Sequence, residues 1–559
     1  MSHAQTSDLW WKNSVIYCLD VATYLDWDGD GCGDLQGMTE RLDYLAGIGV
    51  NCVWLMPFFP SPNRDDGYDI IDYYGVDERL GHLGDFVAFV RTAKDRGLRV
   101  IIDLVINHTS DQHPWFQASR SDPESPYRDF YVWRDEPGDK PKDQPVFPDT
   151  EDSIWSRDRE AGQWYLHHFY SHQPDLNIGN PAVRDEIAKV AGFWLELGVD
   201  GFRVDAVPFL LETGGIPGDV DLNPHDMLRD LRAFIARRRG SAMMVGEVNL
   251  PPKPLRQYFG DEDGDELHMQ FAFPVMQAMY LALARQDATP LASVLRELPP
   301  IPDDSQWAHF ARNHDELTLD QLSPEERQEV FDAFGPDEDM QLYGRGLRRR
   351  LPTMLGGDQR RLRLVYSLVF TLPGTPVLFY GEEIGMGENL DIEGRLSVRT
   401  PMQWNSGHNG GFSTAHPADL QRPLVEGGFA PENVNVYDQR RDPDSLLNWM
   451  ERAIRRRREV PEFGWGDCTI LDTGDDAVLA HRCDWEGSTV LAVHNLSDSG
   501  RSVWIDLGKR PLPEGPGELE DLLTNRPGVE IDDRAIQLDL DGYGHRWFRV
   551  RPGGHPSAP

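Results

Sequence analysis

The sequence predicts a (β/α)8 TIM barrel with a small domain inserted after its third strand and an antiparallel β-domain at its C-terminal end. Three observations predict it. Short apolar runs alternate with amphipathic helical patterns up to about residue 460, as a parallel sheet with helical crossovers requires. The alternation stops from about His108 to Pro174, a stretch rich in Pro, Asp and aromatic residues and too long for a structureless loop. Beyond residue 460 apolar and polar residues alternate with the period of half-buried strands.

Val15 to Val21 and Asn51 to Met56 read as the first two strands, with an amphipathic helix from Thr39 to Ile48 between them. Helix Leu83 to Arg96 and strand Leu98 to Leu104 follow. After the insertion, helix Pro181 to Leu197, strand Val199 to Val204, helix His225 to Arg238 and strand Ala242 to Glu247 resume the pattern. Further strands fit Leu267 to Phe271, Trp307 to Ala311 and Pro376 to Tyr380. Eight strands favour a closed barrel over an open sheet. The barrel is therefore expected over 1–107 and 175–460, the inserted domain over 108–174 and the β-domain over 461–553. In the last, strands fit Val478 to Arg482, Thr489 to His494, Val503 to Leu507 and His545 to Val550, after a helix near Ser445 to Arg458. The tail from Pro552 to Pro559 reads as disordered.

The formal charge of -38 sets a repulsive field against nucleic acid, anionic membranes and polyanionic substrates, and favours a small neutral ligand. The acids are spread along the chain as on a solvated surface, and Arg455 to Arg458 read as a helix end complementing its dipole. Cysteines at 18, 32, 52, 468 and 483 form no Cys-x-x-Cys pair, which points to single buried thiols in a reducing compartment. Neither a signal-peptide pattern nor an apolar run of roughly 18 residues is visible. The expectation is a soluble, cytoplasmic protein; whether it forms a homo-oligomer stays open.

Candidate chemistry starts in Gly201-Phe202-Arg203-Val204-Asp205-Ala206-Val207, where Arg203 and Asp205 share one face of a strand. A strand-end ion pair explains this stretch by itself. A guanidinium beside a carboxylate also lowers the acid's pKa, as a nucleophile requires. Glu247 and Asp315 likewise fall just beyond predicted strand ends, and a barrel gathers such ends on one face. Paired carboxylates suit glycoside cleavage. Asp205 fits the nucleophile, and Glu247, flanked by apolar residues that raise its pKa, fits the proton donor. Asp315 fits the group that holds sugar hydroxyls and offsets developing positive charge, with a helix N-cap as its plainer explanation. His108 and His314 can donate to sugar hydroxyls, and Asp65, Tyr68 and Arg399 have the chemistry of a glucose clamp.

Asp26, Asp28, Asp30 and Asp34 occupy positions 1, 3, 5 and 9 of a Gly-rich loop, with the Cys32 carbonyl at position 7, as a Ca²⁺ loop needs. Position 12 is Gly37, so the loop is not a regular EF-hand. A structural Ca²⁺, or Mg²⁺, stands against an acidic loop of Asx turns.

Asp103 to His108, Gly201 to Val207, Gly246-Glu247 and Asn313-His314-Asp315 together resemble the alpha-amylase superfamily of retaining α-glycosidases. The resemblance implies Asp205 as nucleophile, Glu247 as acid/base and Asp315 as transition-state stabiliser. It implies that Arg203, His108, His314, Asp65, Tyr68 and Arg399 bind the glucosyl unit. It also implies a second calcium site at Asn107, Asp175, Glu212 and the carbonyls of Phe209 and Leu210, and a lid over 316–357. Gln173 to Asn177 resembles the subgroup of oligo-1,6-glucosidases, sucrose-type enzymes and trehalose synthases, and Ala206 its α-1,4-acting members. Asn107 to Phe116, Arg312 to Leu319, Arg348 to Leu351 and Val398 to Trp404 are most similar to the trehalose synthase branch, which interconverts maltose and trehalose. Tyr17 to Val21, a shortened Gly214 to Leu222 and Gly246-Glu247-Val248-Asn249 depart from that branch. An α-glucosidase or transglucosidase is the alternative implied. A catalytically inactive binding barrel is the third reading, set against the presence of all three acids.

Overall fold

The computed structural model describes residues 8–137, 145–210, 223, 225–262, 264–508, 510, 512, 517–524, 526–532 and 534–551. Glu212, the stretch 214–222 and the tail 552–559 lie outside them.

The first barrel strands are β1 (Ile16–Leu19), β2 (Cys52–Leu55) and β3 (Arg99–Leu104), almost wholly buried, as parallel strands covered on both sides must be. The strand expected to reach Val21 stops two residues earlier, because the Asp20 carboxylate caps a helix over Val21–Tyr24 by accepting from the Ala22 amide. The single helix expected over Thr39 to Ile48 is two, Leu35–Glu40 and Leu42–Ile48, meeting at Arg41. Asp34 starts the first by accepting from the Gly37 amide, a cap the apolar spacing does not reveal.

Within the insertion, β4 (Trp133–Arg134), β5 (Trp155–Arg157) and β6 (Trp164–Leu166) form an antiparallel sheet in the order β4-β6-β5. The barrel continues with β7 (Gly201–Val204), β8 (Met243–Gly246), β9 (Met269–Phe271) and β10 (Gln306–His309). A second excursion carries β11 (Leu317–Thr318), β12 (Gln341–Leu342) and β13 (Gly346–Leu347), and β14 (Thr375–Phe379) completes the eight. All neighbours are parallel, and Ile16 pairs with Cys52 on one side and Val377 on the other, which closes the barrel.

The C-terminal region contains β15 (Asp467–Leu471), β16 (Val478–Trp485), β17 (Ser488–Asn495), β18 (Arg501–Asp506), β19 (Glu518–Asp521), β20 (Val529–Glu530), β21 (Ala535–Leu540) and β22 (His545–Arg551). They make a six-stranded sheet, β15-β16-β17-β22-β19-β20, and a two-stranded one, β18-β21. Alternate residues serve different cores. Ala480, Leu491 and Val493 pack with Val503, Ile505 and Ile536 of the small sheet, whereas Leu479, Val490 and Trp547 join the core of the barrel. Trp547 Nε1 donates to Ser367 Oγ at 2.7 Å, His494 Nε2 meets the same hydroxyl at 2.8 Å, and His481 Nε2 meets the Thr371 carbonyl at 2.8 Å. Both barrel residues lie on helix Gln359–Thr371, so the sheet is fastened along that helix.

Arg455 to Arg458 fall in the last turn of helix Leu446–Arg458, as expected of a helix end, and Arg457 is in addition fully buried, donating to Gly374 O and Asn13 Oδ1, each at 2.7 Å. The five cysteines are free, but Cys468 and Cys483 are not isolated, being directly opposite on β15 and β16. Among the described residues no helix is long and apolar enough to cross a membrane.

Gly201 opens β7 at a close approach, where a Cβ would lie 2.3 Å from Met243 O on β8. Gly201→Ala forces the two strands apart, and a loss of about 1–3 kcal/mol is expected for such overpacking. A lowered denaturant midpoint checks this; an unchanged midpoint refutes it.

Candidate active site

β7 ends at Val204 and β8 at Gly246, so Asp205 and Glu247 are the next residues on adjacent strands. Their backbones remain in the ladder: the Asp205 amide donates to Leu104 O at 3.3 Å and the Glu247 amide to Val204 O at 3.1 Å. The chain then turns sharply at Ala206, whose φ of 50 lies in the left-handed region rarely used by residues other than glycine. Val207 N donates back to Glu247 O at 3.2 Å, which locks the turn.

Arg203 organises these acids. Nη1 donates to Asp103 Oδ1 at 2.6 Å and also to Asp205, and Nη2 donates to Glu247 Oε2 at 2.5 Å. Asp103 accepts a further bond from Trp54 Nε1 at 2.7 Å. One cation thus faces three carboxylates. Burial pushes the Asp205 carboxyl up to about 6; Arg203 pulls the other way, while Asp103 and Asp315 add to the rise. The lowered pKa expected from the Arg-x-Asp pair is therefore not found, because the guanidinium is shared and dry. Burial likewise raises Glu247 to about 7, again opposed by Arg203 and reinforced by Asp205 and Asp315, the direction a proton donor needs.

Asp315 behaves oppositely. Burial acts to raise it, but His314, Arg395 and Arg399 outweigh burial and hold it well below the usual carboxylate range. His314 Nε2 lies 3.0 Å from Asp315 Oδ2, while Arg399 Nη2 and Arg395 Nη1 each reach Asp315 Oδ1 at 2.8 Å. The Tyr68 hydroxyl meets His314 Nε2 at 2.7 Å, and the two rings stack. No helix begins at Asp315; it precedes β11, so the N-cap explanation does not apply.

The acids open into a cavity of about 500 Å³. Asp65, Tyr68 and His108 line it with Asp205, Glu247 and Asp315. His108 Nε2 is buried without a hydrogen-bond partner among the described residues, a donor available to a ligand. Arg203, His314 and Arg399 do not line the cavity; they are almost completely buried and act on its acids from behind. Sequence reasoning missed Arg395, which donates from Nη2 to Asp65 Oδ1 at 2.5 Å as well as to Asp315 and covers the ring of Phe147. Its only signal was position, four residues before Arg399. Phe147, Phe169 and Phe209 wall the cavity, and Asn249, Glu316, Asp320 and Tyr343 complete its outer rim.

That rim is tied together. Arg345, next to β13, donates from Nη2 to Val146 O of the inserted segment at 2.7 Å, and Phe147 packs on Tyr343. Asn249 Nδ2 bonds both carboxylate oxygens of Asp320 at 2.9 and 3.0 Å.

Of the expected cation ligands, Asp26, Asp28 and Asp34 bring carboxylate oxygens within 4.8 Å of one another. Asp30 stands apart from that group, its Oδ1 accepting from the Cys32 amide at 2.8 Å. At the other set, Asp175 is already engaged, by His168 Nδ1 and by Asn107 Nδ2 at 3.2 Å. Phe209 and Leu210 lie on the short helix Val207–Leu210, and Glu212 falls outside the described residues.

Two carboxylates on one guanidinium, a third kept ionised, and an aromatic-walled cavity at the C-terminal face of a barrel define an enzyme of glycoside chemistry. The description "Alpha amylase, catalytic domain" matches residues 21–327 and 347–466, and "Sucrose hydrolase-like, C-terminal domain" matches 487–549. The chain belongs to the alpha-amylase family and is an enzyme acting on α-glucosides. It is 41% identical to a trehalose synthase of Pimelobacter sp. (strain R48), over 97% of this chain and 96% of that one. It is equally 41% identical to a trehalose synthase/amylase of Mycolicibacterium smegmatis, over 99% and 95%. Among solved structures, an alpha-amylase from H. orenii superposes with a TM-score of 0.77 at 28% identity, over 97% of this chain and 100% of that one. A trehalulose synthase variant gives a TM-score of 0.76 at the same identity and coverage.

The two raised carboxyls set the sign of the pH response. As pH falls below about 6 the attacking carboxylate of Asp205 takes up a proton, and as it rises above about 7 Glu247 loses the proton it must donate. A bell-shaped kcat/KM profile on a neutral α-glucoside is expected, its limbs belonging to the coupled pair. A profile flat across pH 5–8 contradicts it.

Proposed function

We propose that the chain interconverts maltose and trehalose by glucosyl transfer within one closed cavity, with hydrolysis as a side reaction. Asp205 attacks the anomeric carbon of the non-reducing glucosyl unit while Glu247 protonates the leaving oxygen. This gives β-linked glucosyl-Asp205 and free glucose. Glu247, now ionised, takes the proton from the anomeric hydroxyl of that glucose as it attacks. The ester to Asp205 breaks and an α,α-1,1 bond forms. Water arriving instead yields two glucose molecules.

Arg203 supports this reading, because it reaches both Asp205 and Glu247 and so gathers the two carboxylates that double displacement uses. Asp315, kept ionised, faces the positive charge that develops at the anomeric centre. The observation that carries transfer over hydrolysis is the tied rim, where Arg345 joins the second excursion to the inserted segment, the kind of link by which a lid keeps water from a reaction. Glucose has no charge for the acidic surface to repel, and five free thiols support a reducing compartment, the cytoplasm.

Incubation with maltose is expected to give trehalose as the main product and glucose as the minor one, and trehalose to give maltose. Asp205→Ala is expected to lower both conversions by at least about 10³-fold. Glucose without trehalose leaves an α-glucosidase as the reading.

We propose further that Asp26, Asp28 and Asp34 hold a structural divalent cation of the Ca²⁺ type. Their clustered carboxylates are the hard oxygen donors such an ion requires. A chelator is expected to lower the thermal midpoint and added Ca²⁺ to restore it; an identical midpoint in both conditions removes the assignment.

A further inference from the structure

Cys468 and Cys483 are Cα partners in the antiparallel register of β15 and β16, between the pairs Asp467–Asp484 and Thr469–Arg482. Directly opposed side chains of such a ladder emerge on the same face with Cβ atoms about 4.5–5.5 Å apart, close to the span a disulfide bridges. Here both residues pack on the same core, Cys483 within it and Cys468 against it. No other cysteine is so placed: Cys18 pairs with Trp54 and Cys52 with Ile16 across β1 and β2, and Cys32 Sγ donates to Gln421 Oε1 at 3.0 Å.

The two thiols differ in access. β15 is the edge strand of the six-stranded sheet, and Cys468 on it is half-buried, whereas Cys483 is fully buried in the core shared with the barrel. Contact with Cys468 and burial both push the Cys483 thiol well up, so attack on a dissolved reagent falls to Cys468. Neither lines the active-site cavity.

We propose that Cys468 and Cys483 are a reversible disulfide site, oxidised by thiol exchange with a low-molecular-weight disulfide. The Cys468 thiolate attacks one sulfur of the reagent, forming a mixed disulfide and releasing the first reagent thiolate. Cys483 gives up its proton and its sulfur attacks Cys468 Sγ, releasing the second. Two protein thiols become one disulfide, and the reagent is reduced to two thiols. The bond staples the first hairpin of the C-terminal sheet at its exposed edge.

The test uses the full chain and oxidised glutathione, with an acid quench, a thiol count under denaturing conditions and non-reducing peptide mapping. The count is expected to fall from five to three, with 468 and 483 in one linked peptide pair, and dithiothreitol to restore five. Cys483→Ser is expected to stop at a glutathione adduct on Cys468, and Cys468→Ser to lose no thiol. The second variant, at the half-buried edge, keeps the experiment decisive should the first not fold. Retention of all five thiols, a bond to any other cysteine, or a wild-type protein that stops at the adduct overturns the proposal.

Discussion

The active face depends on one buried guanidinium. Arg203 sits among Asp103, Asp205 and Glu247 with negligible access to water, and it neutralises only part of their charge. Removing a partner from such a cluster costs several kcal/mol, because the remaining charges cannot be resolvated. Lysine could not replace it: an ammonium is a point charge, whereas the planar fork of Arg203 reaches three acids from three strands. The shortage of positive charge is useful chemistry. With both reacting carboxyls raised into the neutral range, small differences of environment decide which holds a proton, and Glu247 is raised further.

A second set of cations serves the opposite end. Arg395 and Arg399 converge on Asp315 while also binding Asp65 and Asp66 respectively. Their convergence, with His314, keeps Asp315 ionised at the pH where its neighbours are partly protonated. The site is thus polarised, with proton exchange on the Arg203 side and fixed negative charge on the Arg395 side. Excursions from the barrel then roof this arrangement, and the roof is fastened by side chains such as Arg345.

The barrel and its acids were legible because both rest on local pattern: apolar runs of strand length, and carboxylates immediately beyond them. Asp205 and Glu247 could be placed on one face from sequence alone since barrel topology does the gathering. The direction of the Asp205 shift was not legible, since it depends first on burial and then on Asp103 and Asp315, all of which arise only on folding. Arg395 lies in the 3-10 turn Gly394–Val398, which carries no periodic signal, and its partner Asp65 is far away in the chain. Strands β15, β19, β20 and β21 were not among those the alternation singled out, β19 and β20 because four and two residues are too few to show a period, and the Cys468–Cys483 pairing depends on the register of β15. In the acidic loop, spacing treated Asp30 as equal to its neighbours, whereas turn geometry gives its carboxylate to the Cys32 amide.

The C-terminal sheet uses its two faces differently, and this bears on where the chain divides. Residues of β16, β17 and β22 complete the core of the barrel, with Trp547 bonded to a barrel helix. The change of period near residue 461 marks a change of architecture and not a seam at which the gene could be cut. A shortened chain would expose a tryptophan-sized apolar trough along Gln359–Thr371, so barrel and sheet should melt in a single cooperative transition and be inherited as one piece.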